Sequence, residues 1–328
     1  MSTIGKKVVS GAVLAFAALF FVQVAFAGGA SEATKKNTKP KVAVVVKTLT
    51  GDVFQLKMAE AARDRAIELG ADATIYQAGG QTAVQKLVSI LEDLIVQKVD
   101  IILVSPLDAK AVVPAFSEAK KAGITIVCMD QTAEGSDFVS FISTDNYKAA
   151  ALGAEYAKKA LNGKGNVLVV EGAPGSSVGD QRRDGFKETV VKGSDIKIVG
   201  SQSGFWQNDK ALEAAQNMLQ ANPDVDLIFS CSDVMVGGIL EAIKMSGKEG
   251  KIKVISFDGS KFGVNLILDG KIIADVAQFP VKIGKTAAET GVGVWNGSIK
   301  VESLPRFIDV GTTLITPDNA KSLVDSAF

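Results

Sequence analysis

Short apolar segments alternate with longer amphipathic segments along nearly the whole chain. Residues 42–46 are all apolar, which is typical of a strand buried on both faces of a parallel sheet. Residues 82–97 instead carry apolar side chains three and four positions apart, the spacing of an amphipathic helix. Strands that alternate with helices in this way, joined by short loops, predict βαβ units and an α/β fold with parallel sheets.

The same pattern places the other elements. The predicted strands are 41–46, 73–77, 100–105, 124–130, 138–143, 166–171, 197–202, 226–231, 253–257 and 307–315, and the segment 272–278 leads into the last long helix. The predicted helices are 54–69, 82–97, 109–122, 147–161, 178–191, 209–220, 234–245, 262–268 and 283–295, with a short helix near the end.

Residues 138–157 join a strand directly to a helix near the middle of the chain. Thr144, Asp145 and Asn146 offer side-chain oxygens suited to capping that helix. Strands and helices alternate before this segment, and the same alternation starts again after it. The pattern predicts a crossover between two α/β lobes, with a cleft between them. One large doubly wound domain, with this segment as an ordinary βα unit, is the alternative that the pattern leaves open.

Residues 1–27 have the pattern of a secretory signal peptide. Lys6 and Lys7 precede an apolar run over residues 11–24, and Ala25-Phe26-Ala27 matches a small-x-small cleavage site. Residues 28–40, small and polar with three lysines, are then predicted to be a flexible leader. A transmembrane anchor is the alternative, but the apolar run is short for a membrane span and a cleavage signal follows it.

The composition excludes several classes of function. The chain has 328 residues, enough for two domains, and its 36 Lys+Arg equal its 36 Asp+Glu, whereas a nucleic-acid partner would normally require a basic surplus. The chain has no histidine, which excludes Ser-His-Asp and Cys-His catalysis and histidine-based metal sites. Its two cysteines, Cys128 and Cys231, are too few for an all-cysteine zinc site, and we predict free thiols because their strands fall in different lobes.

Charged residues follow several predicted strands, at the carboxyl ends where α/β sheets bind ligands. Asp130 and Asp258 can each accept hydrogen bonds from neighbouring hydroxyls, and Lys47 and Arg182 can donate to hydroxyl or ring oxygens. Two charges of each sign favour a neutral, polyhydroxylated ligand. The glycine-rich segment 172–179 lacks the Gly-Lys-Ser/Thr ending of a phosphate loop.

Two aromatic residues, Phe54 and Trp206, have the shape to lie against the apolar face of a sugar. Other interpretations compete with every one of these assignments. An aspartate after a strand is often a helix N-cap, a lone tryptophan is often part of a core, and Arg182 beside Arg183 fits a solvated helix face. The chemistry of the residues alone leaves these interpretations open.

Several short motifs together match one family. They are Val44-Val-Val-Lys-Thr-Leu49, Asp130, Ser143-Thr-Asp-Asn146, Gly185-Phe186, Asn222-Pro-Asp-Val225, Phe257-Asp-Gly259 and Ala277-Gln-Phe-Pro280. In these motifs the mature chain resembles, nearly end to end, the periplasmic binding proteins for ribose, allose and related monosaccharides. The resemblance implies the type I periplasmic binding protein fold, two Rossmann-like lobes joined by three crossover strands. The lobes expected from it are 41–143 plus 279–305 and 144–278 plus 306–328.

The resemblance also implies roles for single residues. The positions implied to hydrogen-bond a sugar are Asp130, Arg182, Asp258 and Gln278, and those implied to stack on it are Phe54 and Trp206.

Other positions depart from the ribose-type pattern. Lys47 replaces a serine and matches the allose-type lysine, Gln131 replaces an arginine, and Ser232 replaces a ligand-binding asparagine. Gly51-Asp52-Val53 replaces the usual Asn-Pro-aromatic, which removes one aromatic wall. A pyranose, a pentitol or another polyol therefore all stay open as the ligand.

The leading hypothesis is a monomeric periplasmic solute-binding protein that captures a monosaccharide or polyol and delivers it to an ABC transporter permease in the inner membrane. A chemotaxis or quorum-sensing receptor on the same fold is the alternative, which leaves a chemoreceptor open as a second partner. A sugar-responsive repressor would carry a DNA-binding headpiece where this chain has the signal-peptide pattern. An exported α/β enzyme shares the fold class, but the missing histidine and cofactor loop argue against it. We expect neither a cofactor nor a metal.

Overall fold

The computed structural model describes residues 39–325 and 327–328. The expected signal peptide and residues 28–38 of the expected leader lie outside the described residues. The strands are β1 Lys41–Val46, β2 Asp72–Gln77, β3 Ile101–Val104, β4 Thr125–Met129, β5 Ser140–Ser143, β6 Lys164–Glu171, β7 Asp195–Ser203, β8 Leu227–Ser230, β9 Lys253–Asp258, β10 Ala274–Ala277, β11 Phe307–Asp309 and β12 Thr313–Ile315. The helices are α1 Val53–Glu68, α2 Val84–Val96, α3 Val113–Lys121, α4 Asn146–Ala160, α5 Ser177–Val191, α6 Asn208–Ala221, α7 Val236–Met245, α8 Lys261–Leu268, α9 Pro280–Trp295 and α10 Ala320–Leu323.

The first sheet has the strand order β11-β5-β4-β3-β1-β2, and all of its strand pairs are parallel. In β1, Val42 and Val44 face a core built with α1 and α9, whereas Ala43 and Val45 face a second core built with α2 and α3. Burial on both faces explains why β1 is apolar without alternation.

The second sheet has the strand order β12-β10-β9-β8-β6-β7. Its strand pairs are parallel except that β12 runs antiparallel to β10. Helices α4 to α8 pack their apolar faces on it around buried side chains such as Phe186, Phe229 and Phe257. The predicted class, an α/β fold of two lobes with parallel sheets, is confirmed, with β12 as an antiparallel addition.

The chain crosses between the two sheets three times. The first crossing runs from β5 to α4 through Thr144 and Asp145, and the second runs from β10 to α9 through Gln278 and Phe279. The third connects β11 to β12 over residues 310–312.

The third crossing corrects the expected boundary near residue 306 and the single predicted strand 307–315. Residues 307–309 belong to the first sheet, where Phe307 pairs with Phe141. Asp309 accepts from the backbone N–H groups of Gly311 at 2.8 Å and Asp145 at 3.1 Å, and Gly311 has a φ of +90°. A turn through a left-handed glycine therefore divides the segment that was predicted to be one strand.

Helices within residues 39–325 and 327–328 are all too short or too polar to cross a membrane.

In the first lobe, α9 packs closely on α1, because the Gly284 position lies against the backbone of Met58 and Ala62. The carboxyl ends of the parallel strands of both sheets line one cavity.

Candidate ligand-binding site

A narrow cavity lies between the carboxyl ends of the two sheets. Its lining comprises Lys47, Asp52, Phe54, Gln55, Gln81, Asp130, Val178, Arg182, Trp206, Ser232, Val234, Asp258 and Gln278. Eight of the nine site residues predicted from the sequence are in this set; the ninth, Gln131, is not.

Asp130 is the centre of the first-lobe wall. Its Oδ2 accepts from Lys47 Nζ, Gln55 Nε2 and Ser105 Oγ, each at 2.9 Å. Burial opposes ionisation of Asp130, but the adjacent Lys47 and Arg182 charges and these hydrogen bonds hold its pKa below the usual range. All three donors reach the same oxygen, Oδ2.

Gln131 is buried, at 2% exposure, but does not line the cavity. Asp130 has a φ of +62°, and the N–H of Gln131 turns back to the carbonyl of Met129 at 2.6 Å. This tight turn ends the regular strand, so the residue after Asp130 does not follow it into the cavity.

Asp258 is the matching carboxylate of the second lobe. Its Oδ1 accepts from Arg182 Nη1 at 3.0 Å and Gln278 Nε2 at 2.8 Å, and its Oδ2 accepts from Ser232 Oγ at 2.7 Å and the Asp233 N–H at 3.3 Å. Burial nevertheless raises the pKa of Asp258, against the opposing effect of Arg182. Its φ of +128° is unusual for a residue other than glycine, so the surrounding hydrogen bonds must hold this conformation.

Arg182 is buried, at 3% exposure, and its guanidinium is held on several sides. Besides Asp258, it donates through Nε to Asn146 Oδ1 at 2.8 Å and through Nη1 to the carbonyl of Cys231 at 2.7 Å. Its Cζ lies 4.0 Å from the centre of the Phe257 ring. The solvated-face interpretation applies instead to Arg183, which pairs with acidic neighbours on its own helix.

Two glycines leave the space that the Trp206 indole occupies. A Cβ at Gly172 would lie only 1.9 Å from the indole Cζ2, and one at Gly179 would lie 3.2 Å from the same atom. Phe205 and Trp206 both have left-handed φ angles, +55° and +57°. The indole Nε1 is buried without a hydrogen-bond partner. Trp206 thus presents both a flat ring and a free donor in the lining of the cavity.

Phe54 lines the cavity and also belongs to the first-lobe core. Its ring meets the ring of Phe328 edge-on, with centroids 5.7 Å apart. Phe328 also accepts the N–H of Lys261 through its carbonyl at 2.9 Å. The chain end therefore links α8 of the second lobe to α1 of the first.

Three glutamines share one arrangement around the cavity. Gln55 donates its amide N–H to Asp130 at 2.9 Å, Gln81 to Asp52 at 2.7 Å and Gln278 to Asp258 at 2.8 Å. Because each amide nitrogen faces a carboxylate, the amide oxygen is fixed as the outward atom. All three of these oxygens are buried without a donor.

Sequence reasoning missed Asp52, Gln55 and Gln81. One signal was present, since Asp52-x-x-Gln55 has the spacing of a capping box. Asp52 does cap α1, accepting the N–H of Gln55 at 3.1 Å. The Gln55 side chain, however, extends to Asp130 rather than back to the cap.

The carboxyl of Asp52 is only weakly acidic. Burial is the main cause that raises its pKa to about 6, and the nearby Asp258 and Asp130 charges add to it. The Gln55 N–H and Lys47 act in the opposite direction. Below about pH 6 the cavity therefore carries less negative charge than its three aspartates suggest.

Both cysteines are buried free thiols, as predicted. Cys128 lies in β4 of the first sheet, and Cys231 follows β8 of the second. Burial raises the pKa of Cys231 to about 12 and that of Cys128 well above its usual range. Neither thiol is poised to act as a nucleophile.

Comparisons with known proteins agree on one group. The family model described as "Periplasmic binding protein domain" matches residues 42–299. The D-allose-binding periplasmic protein of Escherichia coli is 32% identical over 284 residues, which are 84% of this chain and 91% of that protein. The ribose import binding protein of Bacillus subtilis is 36% identical over 212 residues, 65% of this chain and 68% of that protein. An ABC transporter periplasmic solute-binding protein from Actinobacillus succinogenes, solved with bound D-allose, superposes with a TM-score of 0.79 at 31% identity, covering 87% of this chain and 100% of that one.

Proposed function

The chain belongs to the periplasmic binding proteins of the ribose and allose type, and from this premise we propose that its cavity binds one neutral monosaccharide or polyol for delivery to an ABC permease. The members of this family are solute-binding proteins rather than enzymes, and they act in the periplasm.

Unpaired polar atoms around the cavity carry the proposal. Within the described residues, five buried side-chain nitrogen or oxygen atoms lack a hydrogen-bond partner, and four of them belong to residues that line this cavity. They are Gln55 Oε1, Gln81 Oε1, Gln278 Oε1 and Trp206 Nε1. Each such atom costs about 1–3 kcal/mol while unpaired. Three acceptors and one donor match a ligand whose hydroxyls both donate and accept.

Charge pairing favours a neutral ligand over an anionic one. Lys47 and Arg182 are each already bound to a carboxylate, at 2.9 Å and 3.0 Å. A phosphate or carboxylate on the ligand would compete with Asp130 and Asp258 for these cations and would add a buried negative charge. The site is therefore arranged for hydroxyls, which can bridge the fixed charges without displacing them.

Residues from both lobes are needed to surround the ligand. Lys47, Gln55 and Asp130 come from the first lobe, whereas Arg182 and Asp258 come from the second. We propose that ligand binding favours closure of the lobes about the three crossings, because only the closed state pairs every unpaired atom. A permease can then distinguish loaded from empty protein by shape. The signal-peptide pattern of residues 1–27 supplies the proposed route to the periplasm.

A thermal-shift screen with D-allose, D-ribose, xylitol and other pentoses, hexoses and polyols tests the ligand class. A ligand at a thousandfold its Kd should add about 4 kcal/mol to the unfolding free energy. Chromatography of the ligand recovered after incubation with the protein should show it unchanged. The proposal would be contradicted if a reaction product forms, or if sugar phosphates stabilise the protein and no neutral sugar or polyol does.

Gln55→Met then tests whether Gln55 contacts the ligand. It keeps the length of the side chain but removes both the carbonyl offered to the ligand and the N–H bound to Asp130, so affinity by calorimetry should fall about tenfold or more. Gln97→Met at the exposed end of α2 is the matched control and should bind as the wild type does. Equal affinities for both variants would remove Gln55 from the site.

A further inference from the structure

Two aspartates lie directly behind Asp258 and do not line the ligand cavity. Asp233 begins the short 3₁₀ turn after β8, and Asp275 lies on β10; they are 3% and 0% exposed. Asp233 accepts from Ser256 Oγ at 2.5 Å and from the N–H and Oγ of Ser260 at 2.9 Å and 2.5 Å. Asp275 Oδ1 accepts from the Gly259 N–H at 3.2 Å. Neither carboxyl belongs to the lining of the ligand cavity.

The second oxygen of Asp275 has no donor. It is the one buried polar atom without a partner, among the described residues, that lies outside the cavity lining. A Cβ built on Gly263 would lie 2.2 Å from this oxygen and 2.5 Å from Asp233 Oδ2, so both oxygens lie against the same glycine of α8. Two ionised carboxylates so placed would repel each other strongly, which a single proton between them removes.

No basic side chain in the described part of the chain neutralises this pair. Within residues 39–325 and 327–328, every lysine and arginine nitrogen lies more than 4.0 Å from the carboxylates of Asp233 and Asp275. The charged group that faces the pair is Asp258 on β9, and the cation beyond it, Arg182 on α5, is bound to Asp258 itself. Lys261, the first residue of α8, is exposed to solvent.

The pair holds the turn that carries Asp258. Its carboxyls bind the backbone of Gly259 and Ser260, and the Asp233 N–H donates to Asp258 Oδ2 at 3.3 Å. Asp258 has a φ of +128°, a conformation that persists only where its surroundings fix it. We propose that Asp275 is a positioning residue, whose carboxyl shares a proton with Asp233 so that the neutralised pair holds Asp258 in place for the ligand. Only the ligand-binding role of Asp258 in this statement rests on the proposed function.

The acidities agree with this geometry. Burial is the largest cause that raises the pKa of Asp233 to about 7, followed by the Asp258 charge. Burial, Asp233 and Asp258 raise the pKa of Asp275 well above its usual range. The pair therefore keeps its proton as the pH rises from about 4 to about 7, where an ordinary carboxyl has lost it. Above this range a further negative charge forms beside Asp258 and loosens the turn.

Carboxyl ¹³C NMR of the ligand-free protein tests the shared proton directly. The resonances of Asp233 and Asp275 are assigned with Asp233→Asn and Asp275→Asn. One of the two carboxyls should stay protonated up to about pH 6, where an ordinary carboxyl is ionised. Titration of both carboxyls near pH 4 would overturn the proposal, whatever the ligand proves to be.

Affinity as a function of pH tests the positioning role, with D-allose, D-ribose and xylitol as probes in calorimetry. Wild-type affinity should fall about tenfold between pH 6 and pH 8.5. Asp275→Asn, whose amide N–H replaces the shared proton, should bind with little pH dependence, whereas Asp275→Ala should bind weakly at every pH. Asp269→Asn is the control and should keep the wild-type profile.

If the ligand affinity of Asp275→Asn falls with rising pH as steeply as that of the wild type, the positioning role is refuted. If none of the three probes binds, the proposed ligand class is contradicted for these compounds, and the NMR titration decides the shared proton by itself.

Discussion

Replacing Asp258 by alanine should destabilise the fold as well as abolish binding. The carboxylate accepts four hydrogen bonds, one of them from the buried guanidinium of Arg182. Removal of one partner of a buried ion pair costs about 3–5 kcal/mol, because the other charge is left uncompensated. The pair borders the ligand cavity, where solvent can reach it, so we expect a loss of about 3 kcal/mol in unfolding free energy. A domain of ordinary stability, about 5–15 kcal/mol, would survive this loss.

A double substitution separates stability from function. In Asp258→Ala/Arg182→Met neither charge remains, so the unfolding free energy should return to within about 1–2 kcal/mol of the wild type. Ligand binding should stay abolished, since both groups are proposed to contact the ligand. Asp184→Ala, which breaks the half-exposed pair with Arg183, is the control and should cost less than about 1 kcal/mol.

Urea unfolding at pH 6, followed by circular dichroism, measures these four unfolding free energies. If Asp258→Ala unfolds at the wild-type midpoint, Asp258 does not compensate a buried charge. If the double variant is no more stable than the single one, the loss does not come from the stranded Arg182.

Three further predictions follow from the same structure. Gly172→Ala places a Cβ 1.9 Å from the Trp206 indole and should lower the ligand affinity measured by calorimetry about tenfold or more. Gly80→Ala, whose Cβ would have its nearest neighbour at 3.9 Å, is the control and should keep the wild-type affinity. Equal affinities of the two variants would show that the ligand does not depend on the position of the indole. Folded Asp52 keeps its proton up to about pH 6, and the unfolded chain loses it near pH 3.8, so stability should fall by at most about 3 kcal/mol as the pH rises between these values. Asp52→Asn caps the helix equally well, so its unfolding free energy, measured by urea unfolding, should lack the part of this fall that Asp52 causes. If the unfolding free energies of the variant and the wild type fall in parallel with pH, the raised pKa is contradicted. Cys128 and Cys231 should both react with an alkylating reagent after denaturation without reductant, and at most slowly before it; unreactive cysteines in the denatured protein would indicate a disulfide.

Much of the fold follows from local patterns in the sequence. The apolar run of β1 predicts a strand buried on two faces, and the spacing in residues 82–97 predicts α2, because burial on a sheet or helix face imposes its own period. Strand ends also predict part of the site. Asp130 and Asp258 could be found because parallel strands bring their carboxyl ends to one edge.

Only the tertiary structure decided which polar residues work together. Gln55 and Asp130 lie 75 positions apart and Asp52 and Gln81 lie 29 apart, and no local pattern records that their side chains meet. The split of residues 307–315 between two sheets is similar, since only the packing of Asp309 and Gly311 against the first crossing divides the segment. The proton assigned to Asp233 and Asp275 has the same origin. A sequence fixes how acidic an isolated aspartate is, but the distance and burial that bind a proton between two of them exist only in the folded chain.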